Sequence, residues 1–371
     1  MVTKINMHMI SVIVPVYKHS GFVNDILDKL TKDIYPSREI IIVVDEPDSA
    51  TKKDIERWRD VATVIERGER GGKVSALNLG VSLSKGDVLL FIDSDVQIPP
   101  DLLSRVAEKI KEKDIVDIRK EVISSGFLAR LVNLDYLNSF LSNFISHKFN
   151  ILIALNGACF AVKRDFFNKI GGFRPTITED IDLGIRASEK RGKIALMNPG
   201  VATVAPTSLK EWYIQRKRWG TGGAIVFLDH IGFILRNPKA WVPSLLLSFP
   251  SMLYIGLSLI SDSILRRLIL AAIILLALRV PLPLATIMFS SITLTISILE
   301  KMLPVIISFI VWMGLISIIA RKIKWNGVGL PELFAYYFIY SPILLSLYLI
   351  SFIRVLITRH KNTIQLEDWK T

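Results

Sequence analysis

Asp93-Ser94-Asp95 closes the apolar run Asp87 to Ile92. At a strand exit, two carboxylates flanking one small residue can reach a single hard cation while Ser94 leaves room for phosphate. Mg²⁺ or Mn²⁺ held there bridges a diphosphate. An isolated Asp-Ser-Asp is more often a solvated turn, so the neighbouring residues decide. Asp45, with Glu46 and Asp48 behind it, ends a second apolar run, Ile40 to Val44. A carboxylate there accepts hydrogen bonds from a ribose or base, or caps a following helix. Lys73 follows Gly71-Gly72 at a helix start, where backbone N–H groups and a cation favour an anion. Glu179 and Asp180 are the candidates for a general base that takes the proton of an attacking hydroxyl, with Asp180 preferred. Acids also collect at helix N-termini for electrostatic reasons alone. Gln215-Arg216-Lys217-Arg218-Trp219 offers guanidinium groups for phosphate and an indole to stack on a sugar, or a basic helix for anionic lipid.

The elements that must position these residues alternate. Ile10 to Val16 is an apolar run of strand length, closed by Pro15 and Tyr17, and Gly21 to Thr31 has helical spacing. The pattern predicts strands at 40–44, 61–66, 87–92 and 159–162, and helices at 51–60, 71–83, 124–148 and 181–191, with Thr178 as N-cap of the last. In open α/β sheets ligands bind beyond the carboxyl ends of the strands, and the acidic clusters and the glycine pair converge there.

The chain has 371 residues, a net charge of +12 and one cysteine. Its mean hydropathy of +0.42 is high for a soluble protein. Cys159 reads as a small buried hydrophobe. Standing alone it excludes an internal disulfide or a cysteine-built metal site, and the five histidines lack ligand spacing. Residues 1–207 mix charge and hydrophobe, 208–240 are basic and aromatic, as suits a membrane surface, and 241–371 are dominated by apolar residues. Apolar runs near 242–260, 268–299, 303–320 and 333–357 imply three to four spans, the second interrupted at Arg279-Val280-Pro281-Leu282-Pro283. Met1 to Ile10 is polar and no signal peptide is evident, so the first domain is expected in the cytosol. Beside a membrane part, the positive charge points to lipid and phosphate rather than nucleic acid.

Taken in order, Pro15-Val16-Tyr17, Asp45-Glu46, Gly72-Lys73-Val74-Ser75-Ala76-Leu77-Asn78, Asp93-Ser94-Asp95, Thr178-Glu179-Asp180 and Gln215-Arg216-Lys217-Arg218-Trp219 resemble the family 2 glycosyltransferases, in particular the cellulose synthase and hyaluronan synthase branch, over about residues 10–220. The resemblance implies an α/β, Rossmann-like GT-A domain followed by a helical transmembrane domain with interfacial helices. It implies a donor pocket with Pro15, Tyr17, Asp45, Lys73, Asp93, Gln215 and Arg218. Metal would be held at Asp93 and Asp95, with Asp180 as base and Asn156, Gly157 and Trp219 at the acceptor. Two features depart from the family's pattern: Asp45-Glu46 is followed by Pro47 rather than a glycine-rich turn, and no transmembrane segment precedes the domain.

Relatives that export polymer use about twice this many spans, so the expectation is a single transfer. An inverting, metal-dependent enzyme would move a hexose, with mannose from GDP-mannose as first choice, onto a polyprenyl- or dolichyl-phosphate-linked acceptor. It would sit as an integral protein in a prokaryotic plasma membrane. The alternatives are a processive polysaccharide synthase, a polyprenyl-phosphate monosaccharide synthase, and a non-catalytic sensor of nucleotide-sugar. Abundant Lys and Ile with almost no Cys suits a hot habitat.

Overall fold

Continuous apolar strands and helix cover on both faces explain the sheet. The computed structural model describes residues 8–19, 21–254, 271–275 and 280–359. Strands β1 (Ile10–Tyr17), β2 (Arg38–Asp45), β3 (Thr63–Arg67), β4 (Val88–Ile92), β5 (Val96–Gln97), β6 (Ile115–Val122), β7 (Cys159–Lys163) and β8 (Ile194–Thr203) form one sheet in the order β3-β2-β1-β4-β7-β6-β8-β5. The first four are parallel, β7 is antiparallel to β4 and β6, and β6 and β8 are parallel. Helices cover both faces, so the central strands are apolar throughout. On one face Val12, Val14 and Ile42 pack with residues of α1 (Val23–Lys32), α2 (Ser49–Trp58) and α4 (Leu102–Ile110). On the other, Ile13, Leu89 and Phe91 pack with α3 (Lys73–Leu83), α6 (Arg164–Lys169) and α7 (Glu179–Glu189). The strand order reverses between β1 and β4, which opens a crevice at their carboxyl ends.

β6, β8 and α4 are absent from the sequence-based assignment. Val116, Ile118 and Val122 do alternate with Asp117, Arg119 and Glu121, but the charge density of the segment masks the period of two. The register between β6 and β8 shifts after Ile118, which pairs with Met197, whereas Lys120 pairs with Val201. β8 therefore carries two extra residues, and such bulges bend a strand and re-aim its side chains. At the bulge β8 passes so close to β6 that a Cβ on Gly200 would lie 1.7 Å from the Arg119 carbonyl oxygen.

Helix α5 (Phe127–His147) packs against β6 and β8, and α8 (Leu209–Asp229) leads into α9 (Ile231–Arg236) and α10 (Pro238–Ser248). Thr178 occupies the N-cap position of α7, yet its side chain makes no capping bond. The acids Glu179, Asp180 and Asp182 in the first turn complement the helix dipole instead. Buried His230 ties α7 to the end of α8. Its Nε2 lies 3.0 Å from Asp182 and its Nδ1 3.0 Å from Glu189, and Ile185, Val226 and Ile234 pack together across α7, α8 and α9.

The chain divides into two units, Met1–Ser244 with Leu344–Thr371, and Leu245–Ile343. The sequence runs 268–299 and 303–320 do not end separately. Residues Leu282–Lys322 form one helix, α11, with Pro281 as its N-cap and Pro304 inside it. α12 (Leu330–Ala335), a π turn (Tyr336–Tyr340) and α13 (Ser341–Arg359) follow. In the second unit Trp312 stacks on Tyr336 at 5.6 Å, and Tyr337 shares a 2.5 Å hydrogen bond with Ser308. Among the described residues two helical stretches, Met302–Lys322 and Leu330–Thr358, are long and apolar enough to cross a membrane. Parts of the two earlier apolar runs, 255–270 and 276–279, lie outside the described residues.

Gly200→Ala is expected to separate β6 from β8 at the bulge, at a cost of about 1–3 kcal/mol from overpacking against backbone that cannot swing aside. A melting temperature equal to that of the parent chain would show that the close approach is not obligatory.

Candidate active site

The crevice is assembled from strand ends. Gly21, at φ +53°, has no room for a Cβ against the Ser94 carbonyl, and the amide of Phe22 donates to that carbonyl at 2.8 Å. The loop after β1 thus closes directly on Asp93-Ser94-Asp95. The amide of Asp93 donates to the Ala158 carbonyl at 2.9 Å, which fixes the end of β4 against β7.

Lys73 joins the two halves of the predicted site. It begins α3, and its ammonium lies 2.8 Å from Asp93 and 3.0 Å from Glu179. Burial disfavours its charge, but the carboxylates of Asp93, Glu179 and Asp180 more than offset this and hold its pKa well above the ordinary lysine value. Glu179 is 7% exposed and engaged by Lys73, which leaves Asp180 as the less committed acid of the pair. Burial first, and then the charge of Glu179, raise the Asp180 pKa to about 6, while the Lys73 cation pulls against them. Gly157 faces this carboxylate. A Cβ there would lie 2.1 Å from Asp180 Oδ2, so glycine clears the space that the base occupies.

Asn156, predicted to face an acceptor, is turned inward. Its amide donates to Asp117 at 3.0 Å, and its carboxamide donates to the Ile118 carbonyl. It positions Gly157 by tying the loop to β6. Asp117 also accepts from Asn143 at 2.7 Å, and burial raises its pKa to about 7 against the pull of those hydrogen bonds.

At the nucleoside side, Asp45 is 3% exposed and accepts from Arg67 Nε at 2.5 Å and Nη2 at 2.8 Å, and from the amides of Gly71 and Gly72 at 2.9 and 3.1 Å. Its carboxylate therefore shapes the glycine loop that presents Lys73. Asp48 caps α2, accepting from the Thr51 amide at 2.7 Å. Tyr17 lies at the end of β1 with the Arg70 guanidinium 4.2 Å from its ring centroid. Pro15 stands in β1 beyond Ile13, the last residue there that pairs with β4, so its missing N–H falls outside that ladder.

On α8 the residues Trp212, Arg216, Gly220 and Ala224 face inward at helical spacing, whereas Lys217 and Arg218 are exposed. The buried guanidinium of the segment is thus Arg216. It lies 3.0 Å from Asp135 and 4.2 Å from the Trp219 ring centroid. Gln215 is half-buried, with its carboxamide oxygen enclosed and without a hydrogen-bond partner. Sequence reasoning missed Arg67, Arg70, Asp117, Lys120 and Tyr136. The charged run before Gly71-Gly72 was the available signal for the first two, and the alternation of β6 for the next two.

Asp45→Ala strands Arg67 and two loop amides, and is expected to cost about 3 kcal/mol of stability. Asp45→Asn, which keeps an acceptor oxygen, loses less. Thermal unfolding of both variants checks this, and an unshifted melting temperature for Asp45→Ala contradicts a structural role for the clasp.

Residues 11–171 match the glycosyl transferase family 2 description. The beta-monoglucosyldiacylglycerol synthase of Synechocystis is 28% identical over 250 residues, covering 63% of this chain and 52% of its own. Glucomannan 4-beta-mannosyltransferase 1 of rice is 26% identical over 230 residues, covering 56% of this chain and 44% of its own. This chain spans about half the length of such curated relatives. The mannosyltransferase PcManGT of Pyrobaculum calidifontis, solved in complex with GDP-Man and Mn²⁺, shares the fold. It superposes with a TM-score of 0.50 at 19% identity, covering 77% of this chain and 85% of that one. The sheet is that of the GT-A fold, as the sequence resemblance implied. The chain carries a family 2 glycosyltransferase domain.

Proposed function

We propose that the chain is an inverting hexosyltransferase that moves a sugar from a nucleotide-sugar onto a lipid-linked acceptor at the membrane face. The carrying observation is the Lys73 bridge, which brings Asp93 from β4 and Glu179 from α7 to one ammonium with Asp180 alongside. A donor site and a base site thereby share one crevice. The acceptor hydroxyl oxygen attacks the anomeric carbon, the bond from that carbon to the diphosphate oxygen breaks, and the hydroxyl proton passes to Asp180. A carboxylate with a pKa of about 6 is mostly ionised at neutral pH and basic enough to accept it.

The donor set at the end of β4 suits a hard divalent cation. Among the described residues no cluster of three or more His, Cys, Asp or Glu side chains forms a cage. Asp93 and Asp95 supply the one or two carboxylates that Mg²⁺ or Mn²⁺ takes when substrate phosphates complete its shell. A cation held by Asp93 and Asp95 would offset the charge of the departing nucleoside diphosphate. Lys73 supplies a second positive charge on the same side, and the Asp45 loop presents it. Tyr17 with Arg70 offers a flat surface for the nucleoside. Trp219 offers a stacking face to the sugar.

The lipid acceptor is supported by the glycolipid synthase named among the relatives, by the two long apolar helices and by the exposed basic and aromatic face of α8. In this reading the helices anchor the chain in a prokaryotic plasma membrane with the GT-A domain on the cytosolic side. GDP-mannose with a polyprenyl- or dolichyl-phosphate-linked acceptor is the first pair to test.

The experiment incubates purified enzyme with a panel of nucleotide-sugars, Mn²⁺ and saccharides linked to polyprenyl or dolichyl phosphate, and reads products by mass. One added hexose per lipid is expected. Asp180→Asn should lower turnover by about 10²–10⁴-fold. Gly157→Ala should lower it by about 10²-fold through displacement of the base, since the added methyl would meet Asp180 from Oδ2 back to Cβ. Long polymer made from donor alone, or an Asp180→Asn variant with full activity, contradicts the reading.

A further inference from the structure

β6 delivers a lysine to the crevice that has no carboxylate within ion-pair distance among the described residues. The ammonium of Lys120, a half-buried residue, lies 4.5 Å from the ring centroid of Tyr136 and 5.5 Å from that of Trp219. The other basic groups around the site are engaged: Lys73 with Asp93 and Glu179, Arg67 with Asp45, Arg119 with Glu121 and Arg216 with Asp135. An ammonium resting on aromatic faces is held by the ring quadrupoles, which take up none of its three N–H donors. Lys120 also stands within electrostatic reach of Asp95, Asp117 and Asp180, so it borders the reacting centre.

We propose that Lys120 is the binding residue for the phosphate ester of the acceptor, gripping it beside Trp219 and holding the rest of the acceptor toward Asp180. The inference rests on the lipid-linked acceptor proposed above and assigns its anionic group to a named cation. Its position favours acceptor over donor. The donor diphosphate is already served by Lys73 with Asp93 and Asp95, whereas Lys120 is shared with Trp219 on α8. The outward face of α8 carries exposed Leu209, Tyr213 and Ile214 among lysines and arginine, and β6 runs out into exposed Ile123 and Phe127. A phosphate joined to a lipid chain has a cation and an apolar exit there, while a soluble nucleotide gains nothing from the latter. The β8 bulge opposite Ile118–Lys120 bends the strand at the place where this lysine is presented.

The test measures equilibrium binding of farnesyl phosphate and of uncharged farnesol to the full chain in detergent micelles without donor, followed by transfer assays. The parent chain should bind farnesyl phosphate at least tenfold tighter than farnesol. Lys120→Gln should erase that preference and leave farnesol binding and the donor KM unchanged, and Lys120→Arg should restore most of it. Lys120→Met, which retains the aliphatic stem on Tyr136, replaces the Gln variant if that one does not fold. Undiminished farnesyl phosphate binding in the Gln or Met variant, or an equal loss for both lipids, overturns the assignment, as does a rise confined to the donor KM. Lys120-dependent binding in a chain that transfers no sugar to any lipid-phosphate-linked saccharide counts against the proposed function and leaves this assignment standing. Transfer that is indifferent to Lys120 counts against the assignment alone.

Discussion

The ammonium of Lys73 lies between carboxylates from two distant parts of the chain, Asp93 at the end of β4 and Glu179 at the start of α7, with Asp180 close behind. Without a cation, three acids in a partly buried crevice repel one another and pay desolvation as well. With it, the two halves of the crevice attract. Because the folded pKa of Lys73 is raised, its contribution to stability is complete below the unfolded lysine value of 10.5 while its carboxylate partners stay ionised, and is lost on the alkaline side as pH rises through the folded value. The surrounding devices serve this contact. Asp45 and Arg67 hold the glycine loop from which Lys73 projects, and Gly157 keeps space for Asp180. His230, bridging Asp182 and Glu189, fixes α7 against the end of α8.

Much of this arrangement was legible before any coordinates. Runs such as Ile40 to Val44 and Asp87 to Ile92 declare buried parallel strands, and the rule that ligands collect at strand exits puts Asp45, Lys73 and Asp93 together. Side-chain direction was not legible. Asp45 reads as a ligand contact by position, but four hydrogen bonds from Arg67 and the loop amides turn it into a scaffold. Asn156 lies where an acceptor loop is expected, and its side chain is nevertheless occupied with β6. Within Gln215-Arg216-Lys217-Arg218-Trp219 the helical period buries Arg216 and exposes Arg218, a distinction that a motif match does not make.

β6 was hidden because Asp117, Arg119 and Glu121 stand between its apolar residues, the first two of them buried, and the third position of the Val116-Ile118-Lys120-Val122 row is a lysine, so the period-two signal fades where function enters. The two extra residues of β8 at the bulge have no local signature beyond Gly200. The long α11 shows the converse. Pro304 and the polar Glu300-Lys301 pair suggest a break between two apolar runs, yet the helix continues through them.

The central claim is that Asp180 is held as a poised base by opposing influences: burial and Glu179 raise its pKa, and Lys73 restrains the rise. Carbon-13 NMR titration of the labelled carboxyl groups, in the parent chain and in Lys73→Met, measures that balance directly. The account predicts an Asp180 pKa of about 6 in the parent chain and a higher value when the cation is removed. An ordinary aspartate value in the parent chain, or no upward movement in the variant, would contradict it.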